Sequence, residues 1–490
     1  MTFTDYVFEK SKNLTTTALI CEDTEISYSE IYESINFIAQ LLKEGSFQTG
    51  ESVLLISDNS SFFIEAYFGI IKMGGICVPV NPSTNENDIR YIVDILDIRR
   101  VFCSSKYKNS VVRILPECTK IYDESDISRS KEDVGAGELI DEKEATALIM
   151  FTSGSTSRPK GVMLTHYNLM HNTSSIIRYL ELTEKDRIEV VLPFYYCYGT
   201  SLLNTHFRCG GSVVLNNNFM FPETVIDCIN KYKCTGFSGV PSTYQILLRM
   251  SSFKETKMPS LRYVTQAGGR LPEVFIEEML SSLRGVLIYV MYGQTEATAR
   301  LSYLPPEKLK EKMGSVGKGI PGTELFVADK EGNRLSPFEV GEIVARGGNI
   351  MKGYFNDTEE TRKVLRSGIL YTGDIGFMDE EGYIFIVSRE KNIIKCAGNR
   401  ISPKEIENVI CTISQIVECA VVGVEDDILG EAVKAFVVLK PGSCMIDGNY
   451  IKKYCMERLP GYKVPKFIKI LQALPKNSSG KVLFKELRHM

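Results

Sequence analysis

An α/β fold with mostly parallel sheets, divided into more than one unit, is what the sequence predicts. Three observations carry this. Short apolar runs of strand length alternate with helical segments from about Val53 to Tyr289. The texture then turns glycine-rich and β-like from about Gly314. A fresh α/β pattern begins beyond the charged stretch Ser388-Arg389-Glu390-Lys391-Asn392.

The clearest unit is the βαβ segment 53–80. Val53-Leu54-Leu55-Ile56 reads as a buried strand. Ser60 caps a helix carrying Phe63, Ala66, Tyr67 and Ile70 on one face. Gly74-Gly75 ends that helix, and Ile76-Cys77-Val78-Pro79 opens the next strand. Further strands are expected at Ala145–Met150, Val190–Leu192, Ser212–Leu215, Tyr263–Gln266 and Val286–Tyr289. The turn-rich region adds β runs at Glu324–Ala328, Glu342–Arg346 and Tyr383–Val387. Past it, helices near Pro403–Ile413 and Tyr450–Arg458 accompany strands near Glu418–Val424 and Ala432–Leu439. The expected division is 1–388 and 389–490, with a joint near 389–391.

Composition narrows the function classes. A chain of 490 residues suggests about three domain-sized units. With 57 basic against 61 acidic residues and a net charge of −4, neither a nucleic-acid partner nor a polybasic membrane role is indicated. The 13 cysteines include no CxxC pair, and the four histidines form no metal-type spacing with them, so reduced thiols and no zinc site are expected. Met1–Leu14 carries Asp5, Glu9 and Lys10 and lacks an apolar signal core. No apolar run approaches the ~20 residues of a membrane helix. The expectation is a cytoplasmic protein without integral membrane association.

Five segments are polar and glycine-bearing in ways burial alone does not explain. Thr152-Ser153-Gly154-Ser155-Thr156-Ser157-Arg158-Pro159-Lys160-Gly161 follows a strand and is suited to polyphosphate: glycine admits close backbone approach, hydroxyls donate, and Lys160 supplies charge. It is not a Walker A loop, because Gly161 follows Lys160. Tyr292-Gly293-Gln294-Thr295-Glu296 follows a strand's carboxyl end, where open α/β sheets bind ligands. Its ring suits a base, and its hydroxyl and carboxylate suit a phosphate with Mg²⁺. Tyr371-Thr372-Gly373-Asp374 offers a carboxylate for ribose hydroxyls. The fourth is the charged stretch 388–392, and the fifth is Pro475-Lys476-Asn477-Ser478-Ser479-Gly480-Lys481. Singly, each has a plain alternative: surface turn, helix N-terminal acid, β-turn aspartate, solvated face, loose tail.

Taken together and in order, with Gly268-Gly269, the run Gly341–Tyr354 and the run Lys395–Glu407, these segments resemble the adenylate-forming enzymes: acyl-CoA synthetases, peptide-synthetase adenylation domains and luciferases. The resemblance spans about Ala18 to Lys485. It implies a large N-terminal domain of two parallel α/β subdomains plus a small β-barrel, followed by a smaller mobile C-terminal α/β domain. It implies ATP, Mg²⁺ and coenzyme A as cofactors, and a carboxylic acid that is activated as acyl-adenylate with loss of pyrophosphate and then passed to a thiol.

Carried over residue by residue, Thr152, Ser153, Gly154, Ser155, Thr156 and Lys160 hold the β- and γ-phosphates. Gly268 and Gly269 lie beside adenine, and Tyr292, followed by Gly293, stacks on it. Thr295 touches the α-phosphate, Glu296 binds Mg²⁺, and Asp374 with Arg389 holds the ribose. Lys481 bridges the carboxylate and the α-phosphate. Lys391 is the hinge, and Gly398 borders the thiol channel.

Departures from the family pattern are Ser157 at a frequent glycine position, Ser388 at a frequent glycine or aspartate, Tyr196 at a frequent histidine and Gly348 at a frequent proline. No aspartate occurs between Pro193 and Ser201, which disfavours an amino acid. Tyr195, Tyr196 and Val240, with Tyr198, Phe237 and Tyr244, suggest a largely apolar pocket for a fatty or aromatic acid, some of these rings being ordinary core. An acyl carrier protein, which presents the same pantetheine arm as coenzyme A, is the alternative acceptor. From other classes, a P-loop phosphotransferase predicts ADP as product, and a non-catalytic nucleotide-binding scaffold predicts no acid-dependent AMP.

Overall fold

The computed structural model describes residues 1–490 except 134, 140, 142, 153–157, 390–392, 397–398, 427–428, 444–445 and 478–479; residues 388, 389 and 400 are described by backbone alone. Two large mixed sheets, a small antiparallel sheet and a fourth sheet near the C-terminus organise the chain.

The expected βαβ unit is present. Strand Ser52–Ile56 pairs in parallel with Ile76–Val80, and helix Ser61–Lys72 joins them. Phe63, Ala66, Tyr67 and Ile70 are wholly buried. Ser60 Oγ accepts from Phe63 N at 3.1 Å, satisfying one of the donors that a helix start leaves open. Ser60→Ala is expected to destabilise by about 1 kcal/mol, read as a lower denaturation midpoint at unchanged m-value.

These strands belong to a seven-stranded sheet that also contains Thr146–Thr152 and Lys160–Thr165, paired antiparallel. A nine-stranded sheet has a parallel centre: Ser212–Leu215, Arg187–Val190, Gly236–Gly239, Tyr263–Gln266 and Leu287–Tyr292. Its edges are antiparallel. Buried aromatic and aliphatic side chains from both sheets form one core between them.

The glycine-rich region is a five-stranded antiparallel sheet: Thr323–Ala328, Gly341–Gly347, Ile369–Met378, Leu365–Arg366 and Ile384–Arg389. The chain changes sheet between Arg389 and the strand Ile394–Cys396. The last sheet centres on the long hairpin Ile416–Asp426 and Gly430–Leu439. Helices Pro403–Cys411, Gly448–Met456 and Phe484–His489 accompany it.

Strand ends differ from expectation by a few residues. The expected strand Val190–Leu192 shares only Val190 with the observed Arg187–Val190, because polar Arg187 and Glu189 hide the strand's start. Glu189 is buried and accepts from Asn216 Nδ2 at 2.7 Å. No helix among the described residues is long and apolar enough to cross a membrane.

Candidate active site

The strand Leu287–Tyr292 runs to Tyr292 itself, further than the apolar run suggested. Gly293 then turns the chain so tightly that a Cβ there would lie 2.0 Å from Ala299 O, which only glycine permits. The segment Gln294–Ala299 loops out of the sheet, carrying Thr295 and Glu296 in a short 3-10 turn. The chain returns where Leu301 N donates to Tyr292 O at 2.9 Å. Tyr292 Oη donates to Asp374 Oδ2 at 2.7 Å, so the second and third polar segments meet side chain to side chain. Strand register places Arg389 directly across from Asp374.

A cavity of about 330 Å³ opens at this point. Gly268, Gly269, Tyr292, Gly293 and Asp374 line one side; Ser402, Lys404 and Lys481, from beyond the sheet change, line the other. Lys481 sits at the end of a tight hairpin. Asn477 N donates to Lys481 O, Lys481 N to Asn477 Oδ1 (both 2.9 Å), and Lys476 ion-pairs with Glu418 at 2.6 Å to anchor the base. The hairpin is docked on the first unit: Ser242 Oγ donates to Gly480 O at 2.9 Å. A Cβ on Gly480, whose φ is +78°, would press on Val240 Cγ2 at 3.0 Å. Val240 thus lies between Gly268 and Gly480.

Lys404 Nζ donates to Ile386 O at 2.7 Å. Burial, with Arg270 nearby, pushes its pKa down to about 8. Glu407, one helical turn on, is pushed up to about 7 by burial.

The phosphate-loop flanks lie in a second group. Thr152 pairs with Lys160 across the hairpin, and Lys160 ion-pairs with Glu360. Lys160 and Lys363 hold the Glu360 carboxyl down at about 2. The Lys160 ammonium also lies 5.2 Å over the Tyr354 ring, and Tyr354 Oη donates to Glu296 Oε1 at 2.8 Å. Lys160 and Glu296, separated by 136 positions in the chain, are therefore linked through one tyrosine. Ser153, Gly154, Ser155, Thr156, Lys391 and Gly398 lie outside the described residues, as does the side chain of Arg389.

Tyr195 and Tyr196 pack ring to ring, centroids 5.0 Å apart, just before helix Cys197–Cys209. Cys197 Sγ lies 3.6 Å from Thr295 Oγ1, which joins this aromatic corner to the segment carrying Thr295 and Glu296. Phe237 and Tyr244 are wholly buried in the core of the nine-stranded sheet. Tyr354 and Lys404 lie inside the resembling runs Gly341–Tyr354 and Lys395–Glu407 but carried no expected role, and Glu360 and Arg300 escaped the sequence reading. Glu360 sits in the first turn of helix Thr358–Val364, capped by Asp357, where an acidic residue is ordinary helix chemistry.

The donor chemistry suits magnesium nucleotide: hard oxygens at Thr295 and Glu296, a cation at Lys160, and glycines along the cavity wall. The AMP-binding enzyme family model matches residues 9–355, and the model of the AMP-binding enzyme C-terminal domain matches residues 405–481. A long-chain-fatty-acid–CoA ligase from Bacillus subtilis (strain 168) is 30% identical, covering 96% of this chain and 91% of its own. A 2-succinylbenzoate–CoA ligase from Bacillus pumilus (strain SAFR-032) is 33% identical over 95% and 93%. The solved o-succinylbenzoate CoA synthetase from Bacillus subtilis in complex with its acyl-adenylate superposes with a TM-score of 0.87 at 27% identity, covering 99% of this chain and 98% of that one. The same enzyme has been solved with ATP and a magnesium ion, giving a TM-score of 0.86 at 28% identity over 99% of both chains. On matches spanning most of its length, this chain belongs to the AMP-binding enzyme family.

Proposed function

We propose that the protein is an ATP-dependent acid–thiol ligase that releases AMP, with coenzyme A as the acceptor and units 1–388 and 389–490 acting as body and lid. The observation that carries the reading is the shared cavity. Gly268, Gly269, Tyr292 and Asp374 from the body face Lys481 from the lid across about 330 Å³. The relatives named above are CoA ligases, which supports coenzyme A over a carrier protein.

The chemistry follows from the charges. A substrate carboxylate attacks the α-phosphorus of ATP, the bond to the bridging oxygen breaks, and pyrophosphate leaves. Negative charge on the phosphoryl oxygens must be offset throughout, so position and electrostatics govern the rate. In this reading, residues 152–156 and Lys160 receive the β- and γ-phosphates. The Glu360 carboxylate holds the Lys160 ammonium at the foot of that loop until phosphate oxygens compete for it. Asp374 and Arg389 take the ribose hydroxyls, Tyr292 lies against the base, and Thr295 donates to the α-phosphate. Glu296 would hold magnesium, which supplies charge neutralisation on the phosphate oxygens. Lys481 spans the carboxylate and the α-phosphate while the lid excludes water. In the second step a thiol attacks the acyl carbonyl and AMP departs.

The test is a panel of carboxylic acids with ATP, magnesium and hydroxylamine. We expect one AMP and one pyrophosphate per hydroxamate, and thioester when coenzyme A replaces hydroxylamine. Formation of ADP, or AMP release that ignores the acid, would overturn the assignment.

A further inference from the structure

A buried cation without an anion stands beside the aromatic corner. Arg300 is 2% exposed. Its guanidinium carbon lies 4.0 Å over the Tyr198 ring, its Nε donates to Met291 Sδ at 3.4 Å, and its Nη1 donates to Ala299 O at 3.3 Å. Among the described residues no carboxylate oxygen lies within 4.0 Å of its nitrogens. Glu296, four positions back, accepts instead from Tyr354. Two phenols adjoin the guanidinium, Tyr198 and Tyr179, but neither serves as counterion. Burial raises the pKa of both hydroxyls, so they stay neutral, and their protons go to Thr265 O and Met291 Sδ.

Nor is Arg300 placed there by a slack backbone. Its carbonyl accepts from Asn172 Nδ2 at 3.2 Å and from Asn349 Nδ2 at 2.7 Å, both from wholly buried amides. A guanidinium removed from water with only a thioether, a carbonyl and the neutral Tyr179 phenol oxygen as acceptors is costly unless an anion arrives. The sites that would supply one are close. Tyr198 follows Cys197, whose sulfur touches Thr295, and the Cys197 thiol feels the charges of both Arg300 and Glu296.

We propose that Arg300 is a specificity determinant that pairs with a second anionic group on the acyl substrate, so that the preferred acid is a dicarboxylic acid. This rests on the ligase reading and narrows it. One carboxylate meets ATP near Thr295 and Lys481. The apolar body lies against Tyr195, Tyr196 and Tyr198. The far carboxylate takes the planar donor edge of Arg300, a geometry that guanidinium matches and ammonium does not.

The experiment measures AMP release for matched acid pairs: glutarate against valerate, and isophthalate against meta-toluate. Wild-type protein is expected to favour the diacid by about 10²-fold or more in kcat/KM in at least one pair. Arg300→Met is expected to raise KM for that diacid by about 10²-fold, leave KM for ATP unchanged and abolish the preference over the monoacid. Arg300→Lys should recover part of the preference. Wild type that activates each monoacid as well as its diacid overturns the inference and leaves the ligase standing, and needs no variant to fold. A diacid preference that survives in Arg300→Met also overturns it. No acid-dependent AMP from any acid overturns the ligase reading and this inference with it.

Discussion

Lys481→Ala is expected to slow acyl-adenylate formation by about 10²–10³-fold, the usual cost of removing one preorganised charge from a phosphoryl or acyl transition state. The side chain lines the cavity only because its hairpin is built and docked. Asn477 closes the turn, the Lys476–Glu418 ion pair fixes its base, and Gly480 lies against Val240 with its carbonyl bonded to Ser242. Truncation at Cβ leaves that framework intact, so loss of rate would report the missing ammonium. The second step provides the internal control. Given synthetic acyl-adenylate and coenzyme A, the variant should form thioester within a few-fold of wild type, because the lysine's work ends when pyrophosphate leaves. Hydroxamate trapping reads the first step and thioester absorbance the second. Equal loss in both steps would mean the hairpin is needed for lid placement or folding, and the charge assignment would fall.

Much of this site was legible because its residue types are locally constrained. Gly293 and Gly480 mark places where a side chain collides, and such positions show in a sequence as glycines inside otherwise apolar or polar runs. The bounds of Ser212–Leu215 and Tyr263–Gln266 are legible to the residue, each a short run buried on both faces and set between helical segments. Illegible parts depend on contacts distant in the chain. Nothing near Glu360 announces that it will meet Lys160, 200 positions earlier. Arg300 follows the acidic segment by four residues, yet its burial beside Tyr198 comes from the way the loop re-enters the sheet. Tyr198 and Tyr244 looked alike in sequence. Both are buried and both donate to Thr265 O, yet Tyr198 also packs on a cation.

Lys391→Pro is the counterpart experiment, with the burden on the second step. In the present arrangement the lid is held by contacts that all favour Lys481 in the cavity. Arg249 is buried on Phe275, ion-paired with Glu278, and donates to Ile416 O at 3.2 Å. Ile246 packs into the lid's own apolar cluster, and Lys404 reaches Ile386 O. For a thiol to enter where Lys481 sits, these contacts must break together while the chain between Arg389 and Ile394 changes its dihedrals. Burial lowers the Lys404 pKa to about 8 here, so a passage that exposed the amine would be favoured at neutral pH, and that bias would fade as pH rises from about 8 towards 10.5. Proline fixes φ near −65° and removes a donor, so it restricts the connection between Arg389 and Ile394. We expect thiol transfer to fall by about tenfold or more, equivalent to about 1.4 kcal/mol on that barrier, while acid-dependent pyrophosphate release stays within a few-fold of wild type. A variant with unaltered transfer would place the pivot elsewhere in the connection. One that loses adenylation instead would show that residue 391 shapes the closed state rather than the passage between states.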